Sequence, residues 1–212
     1  MIQKKKKKKT GTEAQVEMRG LMGNGKDYHV YHMTKTDFLI ARALGFAAGG
    51  IILFIFFENF FVAAVGGAVC AKKMPEYYRR FKEERQKKEL RAQFKDLLES
   101  LTSSYSAGQN TMEAFEDAEN DMTSIYGEEA DIVREIQAIC AGLKNNINIE
   151  ELLLDFAKRS GIDDIMSFAN VFEICNRQGS DLKRVVADTR DIISDKIEVE
   201  MEIETMISGS KN

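Results

Sequence analysis

The sequence predicts an all-α protein: an N-terminal transmembrane helical hairpin over residues 38–74, followed by a six-helix antiparallel cytoplasmic bundle over residues 75–212. Three observations carry that expectation. One strongly apolar block, Phe38 to Ala71, stands out from an otherwise charged chain. A single proline, no tryptophan and 30% charged residues favour helix. From Pro75 onward, apolar residues recur at helical spacing between glycine and asparagine punctuation.

Within the block, Phe38 to Phe57 carries Arg42 as its only charge, and the run resumes after Glu58 and Asn59 as Phe60 to Ala71. A helix of about twenty apolar residues covers the ~30 Å hydrocarbon core of a bilayer. Read as one helix, the whole block would reach roughly 50 Å and bury Glu58 in lipid. Two arms with a tight turn at Glu58-Asn59 avoid both problems. Lys4 to Lys9 precede the block and Lys72, Lys73, Arg79 and Arg80 follow it, while the turn carries only an acid. Positive flanks belong in the cytoplasm, so an even number of crossings is expected. The second arm is short, about 24 Å from Asn59 to Met74, and asks Lys72 and Lys73 to snorkel. Gly45-x-x-x-Gly49 and Gly50 face Ala63, Ala64, Gly66, Gly67 and Ala68, small residues that let two helices approach closely.

Ahead of the hairpin, residues 1–26 read as a disordered basic tail and residues 27–37 as a juxtamembrane segment, in which Tyr28-His-Val-Tyr31 alternates like a strand. Gly20-Leu-Met-Gly-Asn-Gly25-Lys26 has the spacing of a phosphate-binding loop up to its lysine. Asp27 then stands where a magnesium-ligating hydroxyl belongs, no apolar strand leads in and no helix follows. No nucleotide site is expected there.

The bundle helices follow in order. The first, about Glu76 to Ser106, continues the second arm, carries Leu90, Phe94, Leu97, Leu98, Leu101 and Tyr105, and ends at Gly108. Asn110 with Glu113 forms a capping box for the second, which ends at Gly127. The third spans Glu128 to Leu143, and the fourth runs from Ile149 to Arg159 behind an Asn148–Glu151 cap and stops at Gly161. Asp163 or Asp164 opens the fifth, which closes at Gly179. Ser180 or Asp181 caps the last, which reaches Ser208. The short connections make an antiparallel bundle.

The net charge of −4 hides an asymmetry, with bases in the tail and from Lys72 to Lys95 and acids dominating from Glu99 onward. This favours a lipid bilayer as partner and not nucleic acid. Cys70, Cys140 and Cys175 sit in apolar settings and read as free thiols facing a reducing compartment. His29 and His32, the two histidines, both precede the hairpin, so no histidine-based nucleophile system or di-iron site is available in the bundle. The acids Glu116, Asp117, Glu119 and Asp121 lack a calcium-loop arrangement and read as solvated helix surface. No catalytic residue, cofactor or metal is expected, and the pattern suits a docking scaffold.

From Asp27 onward, an ordered set of features resembles the TadB-type proteins of the Flp (tight-adherence) pilus, which contain type II secretion system F domains. The features are Phe94-x-x-Leu97-Leu98-x-x-Leu101 leading to Ala107-Gly108 and Ala114; Ile125-Tyr-Gly127; Ile132-Val-Arg134-Glu135; Leu154-Asp-Phe156-Ala-x-Arg159-Ser-Gly161-Ile162; Arg177-x-Gly179-x-Asp181-Leu182; and Ile193-Ser-Asp-Lys-Ile-Glu198 with Glu202-Ile-Glu-Thr205. The resemblance implies a multi-pass platform protein of the cytoplasmic (inner) membrane. Such a platform presents its helical domain to a hexameric secretion ATPase, works with pilin and a second platform protein, and assembles as an oligomer. By the same logic Arg79, Arg80, Lys82 and Arg85, together with Gly108 and Gly179, are the expected contact regions; the glycines read equally well as left-handed helix caps. Members of that family usually continue past the last cytoplasmic helix into another membrane pair. This sequence ends at Asn212, so the expectation is either a truncation or a protein that works with one hairpin.

Overall fold

The computed structural model describes residues 20, 21, 23, 25–29, 33–58, 60–179 and 181–209. The expectations for Lys4 to Lys9, Tyr31, His32, Asn59 and Ser180 lie outside these residues, and so does the side-chain packing expected of Ala63. Among the described residues the protein is all-helical, with α1 (Lys35–Phe57), α2 (Phe60–Ser106), α3 (Thr111–Tyr126), α4 (Asp131–Lys144), α5 (Ile149–Ser160), α6 (Asp163–Gln178) and α7 (Leu182–Gly209).

α1 starts three residues before the apolar block, because Thr34 and Asp37 form a capping box in which Thr34 N–H donates to Asp37 Oδ2 at 3.3 Å. It ends at Glu58, which takes the left-handed conformation at φ 47° and donates its N–H to the Phe54 carbonyl. The helix breaks where the sequence places its turn, and α1 folds back along α2. Small residues make that approach possible. A Cβ on Gly45 would lie 2.7 Å from Met74 Cβ, one on Gly49 2.7 Å from Cys70 Sγ, and one on Gly67 3.0 Å from the Phe46 carbonyl oxygen. Lys35–Ile55, with mean hydropathy 2.2, is the one stretch among the described residues long and apolar enough to cross a membrane. The arm from Phe60 to Pro75 does not meet that criterion by itself.

α2 runs 47 residues without a break, about 70 Å at helical rise. Pro75 lies buried in its interior, and the charged stretch after it continues the second arm as the same helix. The distal half of α2 contributes Leu90, Phe94, Leu97, Leu98 and Leu101, all essentially buried. Around them α3 to α7 close a single core. Phe94 meets Phe156 and Phe168 edge-on, with ring centroids 6.2 and 5.5 Å apart, and Phe172 packs on Phe168 at 5.5 Å. α7 runs opposite to α2, as Arg91–Glu200 (2.7 Å) and Lys88–Glu204 (2.9 Å) show.

Two expected boundaries differ. α4 starts at Asp131 and not Glu128, since Gly127 at φ 82° opens a turn closed by Ala130 N–H on the Gly127 carbonyl at 3.2 Å. At α5 Asn148 holds the cap position, but its side chain makes no capping hydrogen bond, so the expected box does not form. The Asn110–Glu113 box forms in both directions at 3.0 and 3.3 Å.

Candidate functional site

The most constrained polar cluster outside the helices' own hydrogen bonding lies where the segment ahead of α1 crosses α4 and α5. On α5, Leu152, Phe156 and Arg159 recur at i, i+4 and i+7, so Arg159 points with the apolar face into the core. α4 places Glu135 opposite. The two side chains are each only 4% exposed and pair bidentately, Arg159 Nη1 with Glu135 Oε1 at 2.8 Å and Nη2 with Oε2 at 2.6 Å. Arg159 Nε also donates to Asp155 at 2.8 Å, and Nη1 to the Lys26 carbonyl at 3.0 Å. The Tyr28 hydroxyl donates to Glu135 Oε1 at 3.0 Å. Burial, and then the Glu135 charge, push the Tyr28 phenol well above its ordinary range, so it stays a donor. Burial opposes the Arg159 charge, but the hydrogen bonds and charges of Glu135 and Asp155 outweigh it and raise its pKa.

This segment also completes the end of α5. Helix C-termini leave carbonyls without partners. Here Tyr28 N–H donates to the Arg159 carbonyl at 2.9 Å, and His29 Nε2 sits 2.9 Å from the Lys158 carbonyl. Gly161 ends α5 in the left-handed conformation at φ 59°, and a Cβ there would run into the His29 ring. Lys26 reaches Asp131 at 2.7 Å, and Asp131 accepts from Gln86 on α2 at 2.7 Å. Gly20, Leu21 and residues 25–29 therefore form a strap tied to α2, α4 and α5, whereas residues up to 26 were expected to be a disordered tail. The loop-like glycine spacing has its explanation here. Gly20 and Gly25 pack their backbone on the Arg159 guanidinium, and a Cβ on Gly25 would lie 2.7 Å from Arg159 Cζ. Among the described residues the space between the strap, α4 and α5 is about 10 Å³, and the Lys26 ammonium is engaged by Asp131.

The sequence-derived contact residues fall at two ends of the body. Arg79, Arg80, Lys82 and Arg85 follow the α1–α2 pair, with Arg80 and Arg85 exposed and Lys82 lying 5.6 Å from the Tyr78 ring. Lys82 and Arg85 line a cleft of about 520 Å³ between α2 and the α3–α4 connection, whose far wall is Tyr126, Glu129 and Asp131. Gly108 lies about 40 Å further along α2. It takes φ 83°, Gly179 takes φ 63°, and a Cβ at either would meet open space. The α2–α7 pairings put both glycines at the end of the body away from α1. The structure therefore groups the glycines with each other and separates them from the basic set. Both act as left-handed caps, Gly179 N–H donating to the Asn176 and Cys175 carbonyls.

The acids of α3 disperse among different partners, Glu116 to Lys144, Asp117 to Gln109 and Asp121 to Ser100, and no group of three or more potential metal ligands occurs among the described residues. Sequence reasoning missed the Glu135–Arg159–Tyr28 clamp. The signal for it was an arginine on the apolar stripe of α5.

Compared with known proteins, the chain matches no family model, no curated protein and no solved structure.

Proposed function

We propose that the chain is a non-enzymatic platform of the cytoplasmic membrane that couples a hexameric secretion ATPase to pilin assembly, as in a TadB-type machine. α1 and the first arm of α2 form a two-span hairpin with Glu58 outside. The remainder of α2 with α3 to α7 forms a six-helix cytoplasmic body. The single observation that supports this most is α2 itself: one unbroken helix of 47 residues belongs both to the apolar hairpin and to the core of the body. A force on the body would reach the membrane through a continuous rod with no flexible joint. The strap supplies a second connection, since it is clamped to α4 and α5 and leads within a few residues into α1. Two attachments, one through α2 and one through the strap, fix the orientation of the body to the bilayer, where one would leave a swivel. The exposed Arg80 and Arg85 sit close to the membrane and suit a negatively charged partner surface.

The test is affinity purification of the full chain from its native membranes under mild detergent. A secretion ATPase hexamer should co-purify, and Arg80→Glu with Arg85→Glu should reduce its recovery at least fivefold. Absence of any ATPase from the wild-type preparation would sink the platform role and leave a membrane-anchored adaptor unconnected to pili.

A further inference from the structure

The outer face of α7 carries apolar residues that the body's own core does not use. Ile192, Val199, Ile203 and Met206 are between 49% and 61% exposed. At ~100° per residue they fall within about 60° of one another, while Val186, Ile193 and Ile197, which face the core, lie roughly 100–140° round the helix. The stripe is about 21 Å long. One flank of it carries Asp195, Glu198 and Glu202, which make no ion pair among the described residues. The other acids of this half of the helix are engaged: Asp191 by Arg190, Glu200 by Arg91 and Glu204 by Lys88.

We propose that this face docks a basic amphipathic helix of a partner protein, one with apolar residues at seven-residue spacing and lysine or arginine along one side. Apolar side chains at i, i+7, i+11 and i+14 are what a helix laid alongside α7 requires, and the unpaired acids supply the charge that selects a basic partner over an acidic one. An anionic bilayer surface is repelled by the same acids. A second copy fits poorly. Pairing two α7 stripes in parallel brings Asp188, Asp195 and Glu202 against their own counterparts across the seam. Pairing them antiparallel turns the two hairpins to opposite ends, which one bilayer excludes; that last exclusion alone rests on the hairpin reading above.

The test uses the full chain in nanodiscs of zwitterionic lipid. The probes are two labelled 14-residue helical peptides, one of leucine and lysine and one of leucine and glutamate, followed by fluorescence anisotropy with binding to empty nanodiscs subtracted. The leucine–lysine peptide should bind at least tenfold more tightly than the leucine–glutamate peptide. Val199→Asp with Ile203→Asp should weaken it at least tenfold, as should Asp195→Lys with Glu202→Lys, while circular dichroism shows unchanged helix content. Equal binding of the two peptides, or wild-type binding by either variant pair, overturns the proposal. So does concentration-dependent self-association abolished by Val199→Asp, which would assign the face to a second copy. None of these readouts depends on which side of the membrane Glu58 occupies.

Discussion

Replacing Arg159 with methionine leaves Glu135 buried, charged and without its partner. Both side chains are 4% exposed, and the substitution removes two hydrogen bonds to Glu135, one to Asp155 and the donor to the Lys26 carbonyl. Breaking a buried pair from one side costs about 3–5 kcal/mol, because the remaining charge keeps its desolvation penalty. For a body of this size that corresponds to a fall in Tm of roughly 10–20 °C. The companion variant Tyr28→Phe/Glu135→Leu/Arg159→Met removes the charges and the phenol that served them, so no buried ion remains. Its stability should return to within about 1–2 kcal/mol of wild type, since apolar replacement of a whole buried pair is often near neutral. The assay is urea unfolding of the full chain in detergent micelles by circular dichroism, with trypsin cleavage at Lys26 reporting the strap. Cleavage should be slow in wild type and fast in Arg159→Met. An Arg159→Met variant within 1 kcal/mol of wild type, with Lys26 still protected, would refute the clamp.

Other outcomes follow from single contacts. Gly25→Ala puts a Cβ 2.7 Å from Arg159 Cζ, so Lys26 cleavage should accelerate and stability should fall by about 1–3 kcal/mol. Gly108→Ala, at φ 83° in open space, should cost only about 1 kcal/mol of backbone strain; loss of ATPase recovery from a folded Gly108→Ala protein would show a contact role beyond the cap. Asn110→Ala removes one side of a formed capping box and should cost about 1 kcal/mol in a urea melt. Burial, helped by the charge and hydrogen bond of Glu119, pushes the Cys140 thiol up to about 12; burial and then Asp96 push Tyr126 to about 12 as well. Both groups hold their protons more tightly folded than unfolded. Their contribution is complete below about pH 9 and is lost as pH rises toward 12, so the urea midpoint should fall from pH 9 upward, less steeply in Cys140→Ala.

The helices were legible because their punctuation is local. Gly127, Gly161 and Gly179 take positive φ where the apolar periodicity stops, and Asn110 with Glu113 makes its box four residues after the end of α2. The α1–α2 turn was legible in the charge of Glu58 inside a greasy run. The strap was not, because it depends on tertiary pairing. Tyr28 shows alternation with its neighbours in sequence, yet its partners Glu135 and Arg159 lie more than a hundred residues away. Gly20 and Gly25 look like a nucleotide motif because the requirement for close backbone approach is the same, whether the group approached is a phosphate or a guanidinium. The continuity of α2 through Pro75 was legible too, since the charged stretch after it keeps helical spacing and follows the second arm directly. The start of α4 moved because the turn after Gly127 satisfies its hydrogen bonds outside the helix.

The central claim is that a two-span hairpin holds the helical body on the cytoplasmic side, and paired reporters at Glu58 and after Gly209 test it most directly. The account predicts that a phosphatase active only outside the cytoplasm is active when fused at Glu58 and silent after Gly209, with a fluorescent cytoplasmic reporter giving the reverse pattern. A reporter at Glu58 that behaves as cytoplasmic would contradict the topology and, with it, the docking of an ATPase on the body.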